Sequence, residues 1–281
     1  MSADSHPADK AAIDSADATE KAIADTRLIE LMDTKPPVHR LRMLTLNMHK
    51  GFTLFNQFIL PELREAIRSL STEIVFLQEV HGSHSRHALR LNDWPASSQY
   101  EFLADSVWPE YSYGRNAIYP EGDHGNAILT KYPIIRYQNL DISIGKIEQR
   151  GILHTVLKVP GHEEVHAMCI HLGLRESHRV RQLSLLADLV DSLPAAAPVI
   201  IAGDFNDWRK RADKILAKCN LHEAFISEHK KLARSFPARW PLLCLDRVYL
   251  RNATSCNARV LHQRPWSHLS DHAPLAVDIM L

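Results

Sequence analysis

The chain has 281 residues, 45% of them apolar and 23% charged, which is enough to build the core of one large domain. Its 33 basic residues balance 33 acidic ones, so no global field draws it to nucleic acid or anionic lipid. Four cysteines without a CxxC pair exclude a disulfide scaffold and fit a reducing compartment, and no run approaches the ~18 consecutive apolar residues of a membrane span.

The chain opens on a stretch rich in Ala, Asp and Ser, Met1 to Lys35, without the basic-then-apolar order of a secretory signal. A flexible acidic tail over 1–38, ending at Pro36-Pro37, is expected ahead of a single domain over 39–281. Cytoplasmic is the default location. Leu41 to Asn47 reads as a strand with polar residues at its end. Asn56 to Leu70 reads as an amphipathic helix with Leu60, Leu63, Ile67 and Leu70 on one face. The run Ile74-Val75-Phe76-Leu77 is a second strand that stops at Gln78-Glu79. His124 to Ile134 holds a turn, a strand and a proline stop; Gly151 to Val159 and Glu164 to His171 give two more strands.

Arg179 to Leu193 is the clearest helix, with Leu183, Leu186, Leu189 and Val190 at helical spacing and Pro194 beyond its end. The apolar run Val199-Ile200-Ile201-Ala202 breaks at Gly203, and Asp204, Asn206 and Asp207 follow at once. Arg209 to Lys218 reads as a short basic helix inside a segment, 209–264, that is rich in Arg and Lys. Asp246 to Leu250 is a strand that starts on an acid, and His268 to Ile279 is a polar loop feeding a last strand. Short strands with few helices imply two packed sheets with helices outside them.

Polar residues therefore stand at strand ends throughout: Asn47, Glu79, His171, Asp204 with Asn206, Asp246, and Asp271 with His272. Any one of them is open to reading as a cap or turn residue. Core packing does not require the recurrence. Asp204 and Asn206 are two apart, so an extended backbone aims both to the same side, where a carboxylate and an amide can handle a water and an anion. The competing reading is a turn, with Asp204 bonded to its own backbone and Asn206 left-handed.

The stretches LTLNMHKG, VFLQEV, GNAILTKYPI, IHLGLR, IIAGDFND, LDRVYL and SDHAP, in this order, resemble the endonuclease/exonuclease/phosphatase superfamily over roughly residues 40 to 281. The chain is most similar to its small bacterial members, beside the sphingomyelinase-like branch. The resemblance implies a four-layer α/β sandwich of two mixed sheets flanked by helices. It also implies hydrolysis of phosphate esters with Mg²⁺ or Mn²⁺.

Carried over motif by motif, Glu79 matches the main metal ligand, Asn47 the amide beside it, and Asp271 a carboxylate near a second metal position. His272 matches the catalytic histidine and Asp246 the acid that orients it. Asp204 matches the residue that prepares the attacking water, Asn206 a donor to the phosphoryl oxygens, and His171 a histidine on the phosphate or leaving group. Arg150 and Asn126 match phosphate or scaffold positions. Two places depart from the pattern. His49 stands where some nuclease branches carry an acid, and Gln149-Arg150 stands in place of Glu-Arg.

The expectation is a metal-dependent phosphodiesterase acting on a nucleic acid or lipid-headgroup diester, as a monomer without a transmembrane segment and open to peripheral membrane association. A phosphomonoesterase of the same fold is one rival, and a non-catalytic phosphate- or partner-binding module is another. A lipid substrate calls for an apolar or basic rim, for which Trp208, Trp240 and Trp266 are candidates beside the alternative of core packing.

Overall fold

Leu41 and Met43 alternate with Leu44 and Leu46 along the first strand, and the two pairs enter different apolar clusters. That is the period-two pattern of a strand buried on both faces. The computed structural model describes residues 39–146 and 148–281, so the tail expected over 1–38 lies outside the described residues. The elements begin with β1 (Arg40–Asn47), α1 (Leu60–Ser69), β2 (Ile74–His84), α2 (Ser85–Arg90) and α3 (Gln99–Ala104). Next come β3 (Glu110–Tyr119), β4 (Gly122–Thr130), β5 (Ile134–Asp141), β6 (Gly151–Val159), β7 (His162–His171) and α4 (Glu176–Asp191). The chain ends with β8 (Val199–Asp204), α5 (Ala212–Leu216), β9 (His222–Glu223), α6 (Ala224–His229), β10 (Asp246–Arg251), β11 (Thr254–Val260) and β12 (Leu275–Met280).

Two six-stranded sheets form, in the orders β11-β12-β1-β2-β4-β3 and β5-β6-β7-β8-β10-β9. The pairs β1/β2 and β7/β8 are parallel, linked through α1 and α4, and the remaining neighbours are antiparallel. Met43, Phe76 and Ile128 of the first sheet meet Ala167, Ile200 and Val248 of the second in one buried inter-sheet cluster. The opposite faces are covered by helices: α1 brings Leu60, Leu63 and Ile67 to the first sheet, and α4 brings Leu183, Leu186 and Val190 to the second. The fold is thus the α/β sandwich the motifs imply, with layers in the order helix, sheet, sheet, helix.

Several boundaries differ from the sequence reading. α1 starts at Leu60, not Asn56, because Asn56 is left-handed and Pro61 sits in the first turn. β2 does not stop at Glu79 but runs on to His84, paired with the Gly122–Gly125 end of β4. The basic stretch 209–218 is helical only over Ala212–Leu216, followed by a 3₁₀ turn at Ala217–Cys219. The four strands not anticipated, β3, β5, β9 and β11, are the four sheet edges. Edge strands lack a buried face along much of their length, and β5, exposed at most positions, carries no apolar pattern to read.

Candidate active site

The inter-sheet core ends in polar side chains at one edge, and the reason is parity. In β1 the inward row is Leu41, Met43, Thr45 and then Asn47. In β7 it is Val165, Ala167, Cys169 and then His171; in β8 it is Ile200, Ala202 and then Asp204. β10 runs the other way, so its row starts with Asp246 before Val248 and Leu250. Asp246 pairs in register with Asp204, and Asp204 with His171. Each strand therefore extends its apolar row by one polar residue, and the sheets stack those residues together.

Glu79 breaks the parity. Leu77 and Val80 both face the outer cluster under α1, and between them Gln78 and Glu79 together oppose Asn126 of β4. This β-bulge turns both residues inward, at the cost of a left-handed Glu79 with φ +56°. A non-glycine residue there is strained by ~1–2 kcal/mol, and such strain collects at functional sites. Gly203 solves a different problem: at φ +148°, a Cβ would lie 2.0 Å from the Ile170 carbonyl oxygen.

Asp204 is the hub of the cluster. Its Oδ2 lies 3.2 Å from Asn47 Nδ2, 3.5 Å from His171 Nε2 and 3.8 Å from His272 Nε2. Its Oδ1 accepts the Asn206 backbone N–H at 2.9 Å. His272 Nδ1 meets Asp246 Oδ2 at 2.8 Å, a buried pair whose acid fixes the ring's orientation and tautomer. Phe236 packs against the same imidazole, with centroids 5.0 Å apart. Asn206, left-handed at φ +50°, donates Nδ2 to the Leu172 carbonyl and keeps one amide hydrogen for another acceptor. The SDH loop is held by Ser270, whose hydroxyl donates to the Asn47 carbonyl at 2.6 Å.

Burial and charge move the proton affinities of this cluster in definite directions. Burial pushes the Asp204 carboxyl up to about 7, restrained by the His272 cation and by its hydrogen bonds from Asn206 and Asn47. Burial opposes the His272 cation, but the Asp246 and Asp204 carboxylates and the hydrogen bond to Asp246 outweigh it and hold His272 at about 10. His171 is driven well below neutrality by burial, then by the charges of Arg150 and His272, so it stays uncharged.

Glu79 and Asp271 sit beside this buried group and remain partly open to solvent. His49 Nδ1 stands between them, 4.0 Å from Glu79 Oε2 and 3.6 Å from Asp271 Oδ2. Among the described residues neither carboxylate is paired with an Arg or Lys. Two carboxylates with water access and no fixed cation suit a hard divalent ion, which takes oxygen ligands and keeps several waters. Asn47 fits less directly: its Oδ1 accepts the His49 N–H at 3.1 Å, so its nitrogen faces Glu79 and Asp204.

Of the other anticipated residues, Arg150 donates Nε to the Leu172 carbonyl, the acceptor it shares with Asn206, and so lies at the cluster's edge. Asn126 spends both amide hydrogens on the Gly151 and Cys169 carbonyls and ties the two sheets together. Sequence reasoning named Trp240 as a rim candidate but not Leu54, Phe55 or Arg239, and it gave no role to Phe236 or to the Ser270 hydroxyl. That rim carries Leu54 (55% exposed), Phe55 (68%) and Trp240 (72%), and Arg239 stacks 5.5 Å from the Phe55 centroid. These residues line a pocket that also includes Ser270, next to the SDH loop. Trp208 is partly exposed under Arg179, and Trp266 is core.

A family model described as the Endonuclease/Exonuclease/phosphatase family matches residues 44–272. The uncharacterized protein YbhP of Escherichia coli (strain K12) is 52% identical over 243 residues, 85% of this chain and 96% of that protein. A UPF0294 protein of Vibrio campbellii is 33% identical over 121 residues, 42% of this chain and 38% of its own. Among solved structures, an endonuclease/exonuclease/phosphatase of Beutenbergia cavernae superposes with TM-score 0.69 at 18% identity, covering 86% of this chain and 72% of the other. D. rerio TDP2 in complex with single-strand DNA product superposes with TM-score 0.62 at 17% identity, covering 85% and 98%.

Proposed function

The chain belongs to the endonuclease/exonuclease/phosphatase family, whose members are phosphoesterases, and from that footing we propose that it is a divalent-metal-dependent phosphodiesterase. What carries the reading is the buried series Asp246–His272–Asp204–His171 lying beside the solvent-open pair Glu79 and Asp271. Glu79 and Asp271 would hold Mg²⁺ or Mn²⁺, which when bound polarises a phosphoryl oxygen and stabilises the leaving oxygen. Asp204 takes the proton of the attacking water, a role suited to a carboxyl that burial has brought near neutrality. His272, charged and oriented by Asp246, faces the phosphoryl oxygens as negative charge grows on them. Asn206 directs its remaining amide hydrogen there, and neutral His171 donates to the same region.

The rim of Leu54, Phe55 and Trp240 favours a diester with an apolar part over a wholly polar one such as an inositol phosphate. A nucleic acid is the second reading, supported by the fold of the DNA-bound TDP2 and by the stacking capacity of Phe55 and Trp240. No helix among the described residues is long and apolar enough to cross a membrane. The test is hydrolysis of bis(p-nitrophenyl) phosphate with Mg²⁺ or Mn²⁺, with and without EDTA, followed by phospholipid and single-stranded DNA substrates. Activity that appears with metal and vanishes on chelation supports the assignment. Phosphate binding without turnover makes the protein a binding module instead.

A further inference from the structure

Past the bulge, β2 carries a second group of side chains that the proposed chemistry does not use. His81, His84 and His87 recur every third residue from the end of β2 into α2, and one ring atom of each lies within 4.8 Å of the others. His81 is 2% exposed. Its Nδ1 meets the Asp123 carbonyl oxygen at 3.1 Å and the Tyr119 hydroxyl at 3.0 Å. A carbonyl can only accept, so in the tautomer that donates Nδ1–H to it the other nitrogen, Nε2, keeps its lone pair. That Nε2 is buried and has no hydrogen-bond partner. A buried ring nitrogen without a partner needs an explanation, and a cation held on its lone pair is one.

We propose that His81, His84 and His87 form a binding site for a borderline divalent transition metal of the Zn²⁺ class. Three imidazoles without a carboxylate suit Zn²⁺ and its neighbours, whereas Mg²⁺ and Ca²⁺ require oxygen. The bond from His81 Nδ1–H to a backbone carbonyl is the orienting contact that metal-bound histidines commonly make. Trp94 packs 5.1 Å from His87 and 5.7 Å from His81, giving the group an apolar wall. His84 and His87 are half-buried and leave a way in from solvent. Zn–N bonds of ~2.0–2.1 Å place tetrahedral nitrogens about 3.3 Å apart, so the His84 and His87 rings, which pack with centroids 3.8 Å apart, turn out of that contact to aim their lone pairs at one point. His84 adjusts most, since its Nδ1 caps α2 by accepting the His87 N–H at 3.1 Å. A bound ion clamps the end of β2 to α2 and keeps one coordination position free. Glu79 and Asp271, being oxygen donors, select the opposite kind of cation.

The experiment is calorimetric titration of the full chain with ZnCl₂ in millimolar Mg²⁺, repeated on His87→Ala and on His84→Asn, which keeps an acceptor at the helix cap. The wild type is expected to bind one Zn²⁺ more than either variant, with circular dichroism of the metal-free proteins unchanged. Equal Zn²⁺ uptake in wild type and variants overturns the site. A wild-type measurement that needs no variant is X-ray absorption at one equivalent of Zn²⁺. Three imidazoles around the metal support the assignment. A single imidazole with carboxylates places the ion at Asp204, Asp246 and His272 instead and also overturns it.

Discussion

Asp246→Asn tests the proposed chemistry with the least structural disturbance. Asp246 is 1% exposed, and its Oδ2 receives His272 Nδ1–H at 2.8 Å, so it acts on a substrate only through that ring. Asparagine has the same shape, so the strand and its register with Asp204 persist. The negative charge does not. A hydrogen bond to a charged group is worth ~1.5–3 kcal/mol, and ~1.4 kcal/mol is tenfold in rate, so charge loss alone costs about 10–100-fold in kcat. Should the amide present its NH₂ to Nδ1, the ring must take the other tautomer, and the loss approaches the ~10⁴-fold known for the same change in a Ser-His-Asp triad. The expected result is kcat down by ~10²–10⁴ and KM within about threefold of wild type, because a positioning residue acts on the transition state. The assay is metal-dependent cleavage of bis(p-nitrophenyl) phosphate, with thermal melting to confirm the fold. A kcat within about threefold of wild type refutes the role of Asp246.

Glu79→Gly removes the proposed metal ligand and relieves a left-handed side-chain residue, so metal-dependent turnover should vanish while stability changes by less than ~1 kcal/mol. A melting temperature far below wild type would show that the bulge needs the carboxylate for folding. Glu223 is 4% exposed with one carboxylate oxygen unpartnered, and burial lifts its carboxyl from 4.5 to about 7. A raised acid favours the folded state at low pH; that contribution is complete below the unfolded value and lost as pH rises through the folded one. Glu223→Gln should therefore add ~1–3 kcal/mol near pH 8 and nothing near pH 4, read by urea unfolding at both. Equal gains at both pH values would refute the linkage. Trp240→Ala should leave stability within ~0.5 kcal/mol, yet raise KM about tenfold for a phospholipid-type diester and not for a small one. An equal KM for both substrates would detach the rim from recognition.

The sequence exposed the parts of the fold that are buried on two faces. β1, β2, β4, β7, β8 and β10 appeared through their apolar runs and β6 through its alternation, because a strand between two covered faces is mostly apolar. The edge strands did not appear, since residues such as those of β5 (Ile134–Asp141) face solvent over most of their length. At the site, Asn47, His171, Asp204 and Asp246 were legible as strand-terminal polar residues, and the structure gathers them through one shared row. What the chain order concealed was the partner side. Ser270 anchors Asn47 across 223 residues, and Phe236 packs at a tilt against His272 from a loop with no motif of its own. Sequence reasoning passed over His81, His84 and His87, and only the fold shows that one of them is buried with its Nε2 unpartnered.

Glu79 explains why so wide a constellation depends on one local irregularity. Regular alternation along β2 would send Gln78 inward and Glu79 outward, into the cluster of Leu77, Val80 and α1. A charged carboxylate there would have no partner, and the strand would have to end before it. The bulge against Asn126 absorbs the extra residue, so Glu79 enters the cleft and Val80 resumes the outer row. Asn126 is able to serve as the single residue opposite because its side chain is already committed to the other sheet, at Gly151 and Cys169. Its bonds thus fix the separation of the sheets at the point where Glu79 crosses toward Asp271. The same irregularity lets β2 continue to His84, which carries His81 beyond the cleft to its own neighbours. One strained residue therefore separates an oxygen-donor end of the strand from a nitrogen-donor end, and the two differ in the cations they can hold.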